Sequence, residues 1–545
     1  MFSQGMKKTF IMQDSFCKIV LMDNLLQNDN QALITVKGLK VRSKSTDLIG
    51  PVDLAIKQGE LLALIGVSGS GKSLLAKSFI GINGFVDLYE SFDLYSWKAE
   101  SLLNNSSDTS SLEELRGKSI FYLFQDSYLS LSPSRKIRSV FHDFAERHSL
   151  NITEEDLIEL FKSLKIQEPD KLLDRYPFQV SGGQLQRLML GMGILSSADL
   201  IIADEPTTAL DAPLKREVLD LLTSTVRASN KSLLLISHNL ELVRSYVDRC
   251  VILKEGRLIH DCMPADLEKS GRAYVDLLLD RSKKLQDLNK LELSQATEEI
   301  LLSVENLSVK YYTKKFLKKI VDTHSVKDVS FKLGRGEALG VVGRSGSGKS
   351  SLAKALSGLV SFESTRVTIQ GDELSSGQIH NQIKLIFQNP LSSLNPALSI
   401  REQLEEALLL GGTSKQKLSK GLVELIEKVS LDESLLDSYP GEVSGGQGQR
   451  AAIARALATK PKLLICDECL SSLDVVLKIE ILDLLQSLVK DGISILFISH
   501  ELGAVGRLCS RIAFFDKGRL VELSDRNTFF SKPKSEGLKS FIAAY

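Results

Sequence analysis

The stretch Gly66-Val67-Ser68-Gly69-Ser70-Gly71-Lys72-Ser73 decides how the rest of the chain is read. Two glycines enclose four residues and are followed by Lys and Ser. Glycine lets the backbone curl so that successive N–H groups point at one place, a nest for phosphate oxygens. In such a loop Gly66, Ser68, Gly69 and Gly71 form the cradle, Lys72 reaches the β- and γ-phosphates, and the Ser73 hydroxyl ligates Mg²⁺. The flanks agree. Leu61-Leu62-Ala63-Leu64-Ile65 reads as a buried strand, and the run from Ser73 to Ile80 as a helix whose N-terminus adds a dipole favourable to anions. A glycine-rich turn that binds nothing has no need of strand, loop, Lys-Ser and helix together. The pattern recurs as Gly343-Arg344-Ser345-Gly346-Ser347-Gly348-Lys349-Ser350, which assigns the same roles to Gly343, Ser345, Gly346, Gly348, Lys349 and Ser350.

The recurrence extends well beyond the loop. Gln125 and Gln388, Ser181 and Ser444, and Glu205 and Glu468 are each separated by 263 positions, and His238 and His500 by 262. The two loop lysines are 277 apart, so the first half carries 14 extra residues between Lys72 and Gln125. Composition places them in 85–116, rich in Ser, Asn and Asp, which reads as a surface insertion. A repeat of this length means two copies of one domain. The expected division is a disordered tail over 1–30, a first domain over 31–266, a partly helical linker over 267–299, a second domain over 300–531 and a C-terminal tail over 532–545. Within each copy strands alternate with helices, the pattern of a mostly parallel, helix-flanked sheet.

Bulk properties narrow the function. A chain of 545 residues exceeds a single core. Net charge is +0, with 43% hydrophobic and 25% charged residues, which offers no electrostatic footprint for nucleic acid. No apolar run approaches the roughly 20 residues needed to span a bilayer. The six cysteines are sparse and irregular, fitting a reducing compartment. Cys466 and Cys469 bracket Asp467-Glu468 at the end of an apolar strand. With neither a helix start nor a second such pair, they read as small residues at a strand end rather than a redox or zinc motif.

Each copy has a second apolar strand ending in two acids, Leu200-Ile201-Ile202-Ala203-Asp204-Glu205 and Leu463-Leu464-Ile465-Cys466-Asp467-Glu468. Acids at the C-terminal end of such a strand sit where ligands bind in open α/β sheets. Asp204 and Asp467 suit Mg²⁺; Glu205 and Glu468 are placed to polarise a water for attack on the γ-phosphate. A third strand ends in His238 or His500, whose recurrence in register points to a γ-phosphate contact. Finally, Ser181-Gly182-Gly183-Gln184 and Ser444-Gly445-Gly446-Gln447 each open a helical run, a second anion site made from backbone N–H groups.

These last motifs resemble the signature loop of ABC-transporter ATPases, and the resemblance covers nearly all of 31–530, every element in order, twice. It implies an α/β fold of two tandem P-loop NTPase domains, each a mostly parallel sheet flanked by helices, with an antiparallel β part and a helical subdomain. It implies ATP and Mg²⁺, with the two domains dimerising head to tail within the chain. One site would join Lys72, Ser73, Gln125, Asp204, Glu205 and His238 with Ser444–Gln447, the other Lys349, Ser350, Gln388, Asp467, Glu468 and His500 with Ser181–Gln184. Gln125 and Gln388 match the glutamine that senses Mg²⁺ and the membrane partner, and Asp211 and Asp474 the aspartate of the dimer seam. Tyr311 or Tyr312 fits the aromatic under adenine in the second copy; the first has Val41-Arg42-Ser43 there. Cys469 replaces the usual proline after the catalytic glutamate, and Val180 and Val443 the usual leucine before the signature.

The run Phe387-Gln388-Asn389-Pro390 with Ser393-Leu394-Asn395-Pro396, and Tyr176-Pro177 and Tyr439-Pro440, resemble ATPases of peptide and nickel importers. The implied protein is the peripheral ATPase subunit, on the cytoplasmic face of the membrane, of an importer of small peptides or of nickel or metal chelates. It would work with two transmembrane permease subunits and, indirectly, an extracytoplasmic substrate-binding protein, and without nucleic acid. The alternative is a soluble tandem ATPase acting on ribosomes or nucleic acid; the short linker and neutral charge balance weigh against it.

Overall fold

The apolar runs flanking the phosphate loops become the central strands of two similar sheets. The computed structural model describes residues 32–44, 46–83, 88–125, 130–166, 168–207, 212–286, 299–315, 318–376, 381–471 and 473–543. The stretch expected as an N-terminal tail lies outside them. Apart from residues 211–215, the chain divides into two units that change over between Val275 and Asp276.

In the first unit the strands are β1 (Ala32–Arg42), β2 (Asp47–Lys57), β3 (Leu61–Ile65), β4 (Tyr89–Trp97), β5 (Glu100–Ser106), β6 (Ile120–Leu123), β7 (Leu200–Asp204), β8 (Ser232–Ser237), β9 (Arg249–Lys254) and β10 (Arg257–Cys262). One sheet has the order β10-β9-β3-β8-β7-β6. Its pairs are parallel except β9 with β10. All five residues of β3 and of β7 are buried, as expected for strands covered on both faces. The second unit repeats the plan with β11 (Ile300–Lys315), β12 (Lys318–Gly334), β13 (Ala338–Gly343), β14 (Arg366–Ile369), β15 (Asp372–Glu373), β16 (Ile383–Ile386), β17 (Leu463–Asp467), β18 (Ser494–Ile498), β19 (Arg511–Asp516) and β20 (Arg519–Asp525). Its large sheet runs β16-β17-β18-β13-β19-β20. Each unit is thus an α/β domain built on a mostly parallel sheet, as expected.

A four-stranded antiparallel sheet accompanies each large one, β2-β1-β4-β5 and β12-β11-β14-β15. Here the reading of 85–116 as a surface insertion is corrected. Its extra residues lengthen a hairpin, giving strands of 9 and 7 residues where the second unit has 4 and 2. Phe92, Tyr95 and Leu103 are buried in the core of the first unit, and the Tyr95 hydroxyl donates to the Phe79 carbonyl at 2.8 Å. The polar residues misled because strand side chains alternate faces, so a Ser/Asn/Asp-rich segment still supplies one apolar face. Glu90, on that hairpin, is buried, which pushes its carboxyl up to about 7 against the opposing pull of its Asn83 hydrogen bond.

The helical parts comprise helices Ile137–Arg147, Glu154–Ser163 and Gly182–Leu195 in the first unit, and Ile400–Leu410, Leu418–Val429 and Gly445–Ala458 in the second. Their starts follow capping rules. Thr153 pairs reciprocally with Asp156, and Ser399 with Glu402.

The connector carries helix Ala273–Gln286, whose Val275 and Leu278 are buried. The corresponding C-terminal segment holds helix Glu536–Ala543, with Leu538 and Phe541 in the second unit's core and the Phe541 ring 5.3 Å from that of Phe514. Phe541→Ala is therefore expected to destabilise the second domain by about 3–5 kcal/mol, read by urea unfolding. Cys466 and Cys469 are buried, and the described cysteines are free thiols.

Candidate active sites

Both phosphate loops leave a buried strand and enter a helix, Lys72–Ser78 or Lys349–Leu356. Glycine is required by shape. A Cβ on Gly66 would lie 2.4 Å from the Leu253 carbonyl oxygen, and one on Gly343 2.2 Å from that of Phe515. Gly69 and Gly346, at φ +76 and +78, border open space, the kind of cradle a phosphate group fills. Lys72 and Lys349 are buried beneath this rim. The Lys72 ammonium donates to the Gly66 and Val67 carbonyls, both at 2.9 Å, and that of Lys349 to the Gly343 and Arg344 carbonyls at 2.8 and 3.0 Å. Each is held centrally in its loop as a point charge.

The strand β7 delivers Asp204 to the same place. Ser73 Oγ, 131 positions away in sequence, donates to Asp204 Oδ1 at 3.0 Å, and Ser350 Oγ donates to Asp467 Oδ1 at 3.0 Å. Burial raises both aspartates above their ordinary range, partly offset by the serine hydrogen bonds. Hydroxyl and carboxylate oxygens beside a phosphate cradle form the hard donor set that fits Mg²⁺.

The next residue in each strand leaves β geometry. Glu205 and Glu468 both have φ +50, a left-handed conformation that a non-glycine residue adopts only when its surroundings impose it. Their backbone N–H groups donate to Ile236 O at 3.1 Å and Ile498 O at 2.9 Å, anchoring the turn to the neighbouring strand. His238 Nδ1 lies 3.1 Å from Glu205 Oε1, and His500 Nδ1 3.3 Å from Glu468 Oε2. Gln125 Nε2 donates to Glu205 Oε2 at 3.3 Å, and Gln388 Nε2 to Glu468 Oε2 at 3.4 Å. For Glu468, burial pushes the carboxyl up, but the His500 hydrogen bond and charge, with Lys349, bring it below the ordinary range. It is held as an ionised acceptor.

Ser181 and Ser444 cap helices Gly182–Leu195 and Gly445–Ala458. Ser444 Oγ accepts from Gln447 N at 3.3 Å, and Ser444 N donates to Gln447 Oε1 at 2.8 Å; Ser181 N donates to Gln184 Oε1 at 3.4 Å. A Cβ on Gly446 would crowd Leu477 Cδ1 at 2.8 Å, whereas Gly445 borders open space. Gln186 Nε2, on the first of these helices, donates to the Glu205 carbonyl at 3.2 Å.

The other expected residues fall out unevenly. Asp474 is buried and caps helix Val475–Lys490, accepting from Val476 N and Leu477 N at 3.0 Å each. Asp211 lies outside the described residues. Tyr311 and Tyr312 are exposed on β11, and the Tyr311 hydroxyl donates to Ser351 Oγ at 3.3 Å, directly behind the second phosphate loop. In the first unit Arg42 pairs with Asp47 at 2.7 Å.

Two tyrosines enter the site that sequence reasoning missed. Tyr122 OH donates to Asp204 Oδ2 at 2.9 Å, and Tyr274 OH accepts from Val67 N, in the first phosphate loop, at 3.2 Å. Tyr122 sits inside an apolar strand run, where an aromatic reads as core, and Tyr274 is some 200 positions from the loop it touches.

Comparison with known proteins agrees with this architecture. The sequence pattern of the family described as "ABC transporter" matches residues 49–208 and 326–471. The chain is 36% identical over 533 residues to the "Uncharacterized ABC transporter ATP-binding protein YejF" of Escherichia coli K12, covering 94% of this chain and 99% of that one. It is 31% identical to the "Peptidoglycan transport ATP-binding protein YejF" of Agrobacterium fabrum, covering 95% and 97%, and 31% identical to the "Glutathione import ATP-binding protein GsiA" of Escherichia coli K12, covering 90% and 85%. Among solved structures the "RNase-L Inhibitor" superposes with a TM-score of 0.59 at 19% identity, covering 93% of this chain and 92% of that one, which speaks to fold alone. With two phosphate loops, two acid-tipped strands and two signature helices in their family order, the chain belongs to the ABC transporter family as an ATP-binding protein, an ATPase with two tandem nucleotide-binding domains.

Proposed function

We propose that this ATPase powers an importer of small peptides, binding and hydrolysing ATP on behalf of separate membrane subunits. The observation that carries the reading is that each domain keeps a Lys held in its loop, a Ser–Asp pair and a Glu bonded to both Gln and His, so neither half is degenerate. The transport role rests on relatives, matched over 90% or more of this chain, that are named as transport or import ATP-binding proteins. Two of those names, for peptidoglycan and glutathione, favour peptides over the nickel chelates that some motifs suggest. The ribosome-directed alternative gains nothing from the solved structures, whose likeness near 19% identity carries the fold alone.

The chemistry follows from the side chains. The phosphate-loop N–H groups and Lys72 or Lys349 hold the β- and γ-phosphates and stabilise charge that develops on them. Ser73 with Asp204, and Ser350 with Asp467, would hold Mg²⁺, which would supply positive charge beside the phosphates. Glu205 and Glu468 accept the proton of the attacking water, while His238 and His500 orient the carboxylates and face the γ-phosphate. Gln125 and Gln388, bonded to those carboxylates, lie where a membrane subunit's contact would be felt by the acceptor.

No described helix is long and apolar enough to cross a membrane. The reading therefore requires partners that do. Affinity purification of the chain from detergent-solubilised membranes of its own cells is expected to bring down membrane-spanning permease subunits, with ATPase activity of that complex in liposomes raised several-fold by a peptide-loaded binding protein. Sedimentation with ribosomes instead, with no membrane partner, would replace this reading by its alternative.

A further inference from the structure

The two metal ends of this chain are not built alike. In the first domain both oxygens of Asp204 are engaged, Oδ1 by Ser73 Oγ at 3.0 Å and Oδ2 by Tyr122 OH at 2.9 Å. Among the described residues Asp467 takes one side-chain hydrogen bond, from Ser350. The difference is a substitution at one place in the fold. Tyr122 on β6 pairs with Ile202 on β7, two residues before Asp204; Leu385 on β16 pairs with Ile465 on β17, two residues before Asp467. Leucine has no donor to offer. Tyr122 and Asp204 are 7% and 3% exposed, so the bond sits where solvent does not weaken it.

We propose that Tyr122 is a positioning residue for the Mg²⁺-binding carboxylate of the first site, and that the two sites consequently take Mg²⁺ unequally, the first more tightly. The inference rests on the assignment of Ser73 and Asp204 to the metal end. The argument is geometric. A carboxylate held at both oxygens cannot rotate about its Cβ–Cγ bond, and it still presents a free lone pair on each oxygen for the ion or its water. The Ser73 hydroxyl donates to Asp204 Oδ1, which leaves the hydroxyl lone pairs for the metal. Asp467 is fixed at one oxygen and must settle its orientation when the ion arrives. Tyrosine also draws charge from the carboxylate, an effect of opposite sign. Removing such outer partners nonetheless lowers metal affinity about 10–100-fold in characterised sites, so orientation outweighs charge withdrawal.

The test uses the full chain with one site crippled at a time. In a Lys349→Ala background, ATP retention reports the first site; in a Lys72→Ala background, the second. Mg²⁺ is titrated against a fluorescent ATP analogue, and Mn²⁺ binding is followed by electron paramagnetic resonance. Tyr122→Phe is expected to raise half-saturating Mg²⁺ about tenfold in the first background, with Mg²⁺-free nucleotide affinity unchanged and no shift in the second background. Tyr122→Leu, which copies the second domain, should shift it at least as far, and Leu385→Tyr should lower the value for the second site. A shift below twofold for Tyr122→Phe, while Asp204→Asn abolishes the Mg²⁺ dependence, overturns the proposal. An equal loss of Mg²⁺-free nucleotide binding overturns it too, by making Tyr122 merely structural. Asp204→Asn leaving the dependence intact would instead remove the metal assignment beneath it.

Discussion

The double variant Glu205→Gln, Glu468→Gln is expected to bind ATP as the parent does and to turn it over about 10³-fold more slowly. Glutamine keeps the size and hydrogen-bonding outline of the side chain, so the contacts from Gln125 and His238, and from Gln388 and His500, have partners of the same shape. What is lost is the ionised acceptor for the proton of the attacking water. The phosphate loop, Lys72 and Lys349 are untouched, so nucleotide affinity should move by less than threefold. Filter binding with radiolabelled ATP and phosphate release measured on the same preparation separate the two. Turnover within tenfold of the parent would remove these glutamates from the acceptor role.

The second large effect concerns stability. Arg511→Ala should destabilise the second domain by about 3–5 kcal/mol, because it leaves a buried carboxylate without its charge partner. Glu337 is fully buried, accepts from Gly334 N at 2.7 Å, and receives Arg511 Nη1 at 3.1 and 3.3 Å from its two oxygens. It sits immediately before β13, the strand that ends in the second phosphate loop. The first domain has the same device, with Arg249 bridging Glu60 at 2.7 Å and Asp261 at 2.8 Å. Differential scanning calorimetry of Arg511→Ala should show the second domain unfolding early with the first unchanged. The charge-removing pair Glu337→Gln, Arg511→Met should recover most of the loss, since an unpaired buried charge costs more than none.

Much of the site was legible because its parts are short and their spacing is set by backbone geometry. The glycines of the phosphate loops, the Lys-Ser that follows, the acids at strand ends and the serines that open the signature helices each occupy one local turn. The long-range pairings were legible only through repetition. Ser73 and Asp204 are far apart in the chain, and the repeat in register pointed to them before any contact did. The hairpin over Tyr89–Ser106 was misread because composition averages two faces that a strand separates.

By itself the sequence determined that this is a tandem ATPase, because the loop, acid, histidine and signature patterns are local, specific and present twice. Tertiary structure alone decided which side chains support them. Tyr122 meets Asp204 because β6 lies beside β7 in parallel register, and Tyr274 reaches Val67 because the connector helix folds back onto the first loop. Arg511 finds Glu337 because β19 runs beside β13. These contacts arise from sheet order and crossover direction, which no single window of sequence contains. The first of them, absent where Leu385 stands in the second domain, shows how the two halves of a repeated chain come to differ.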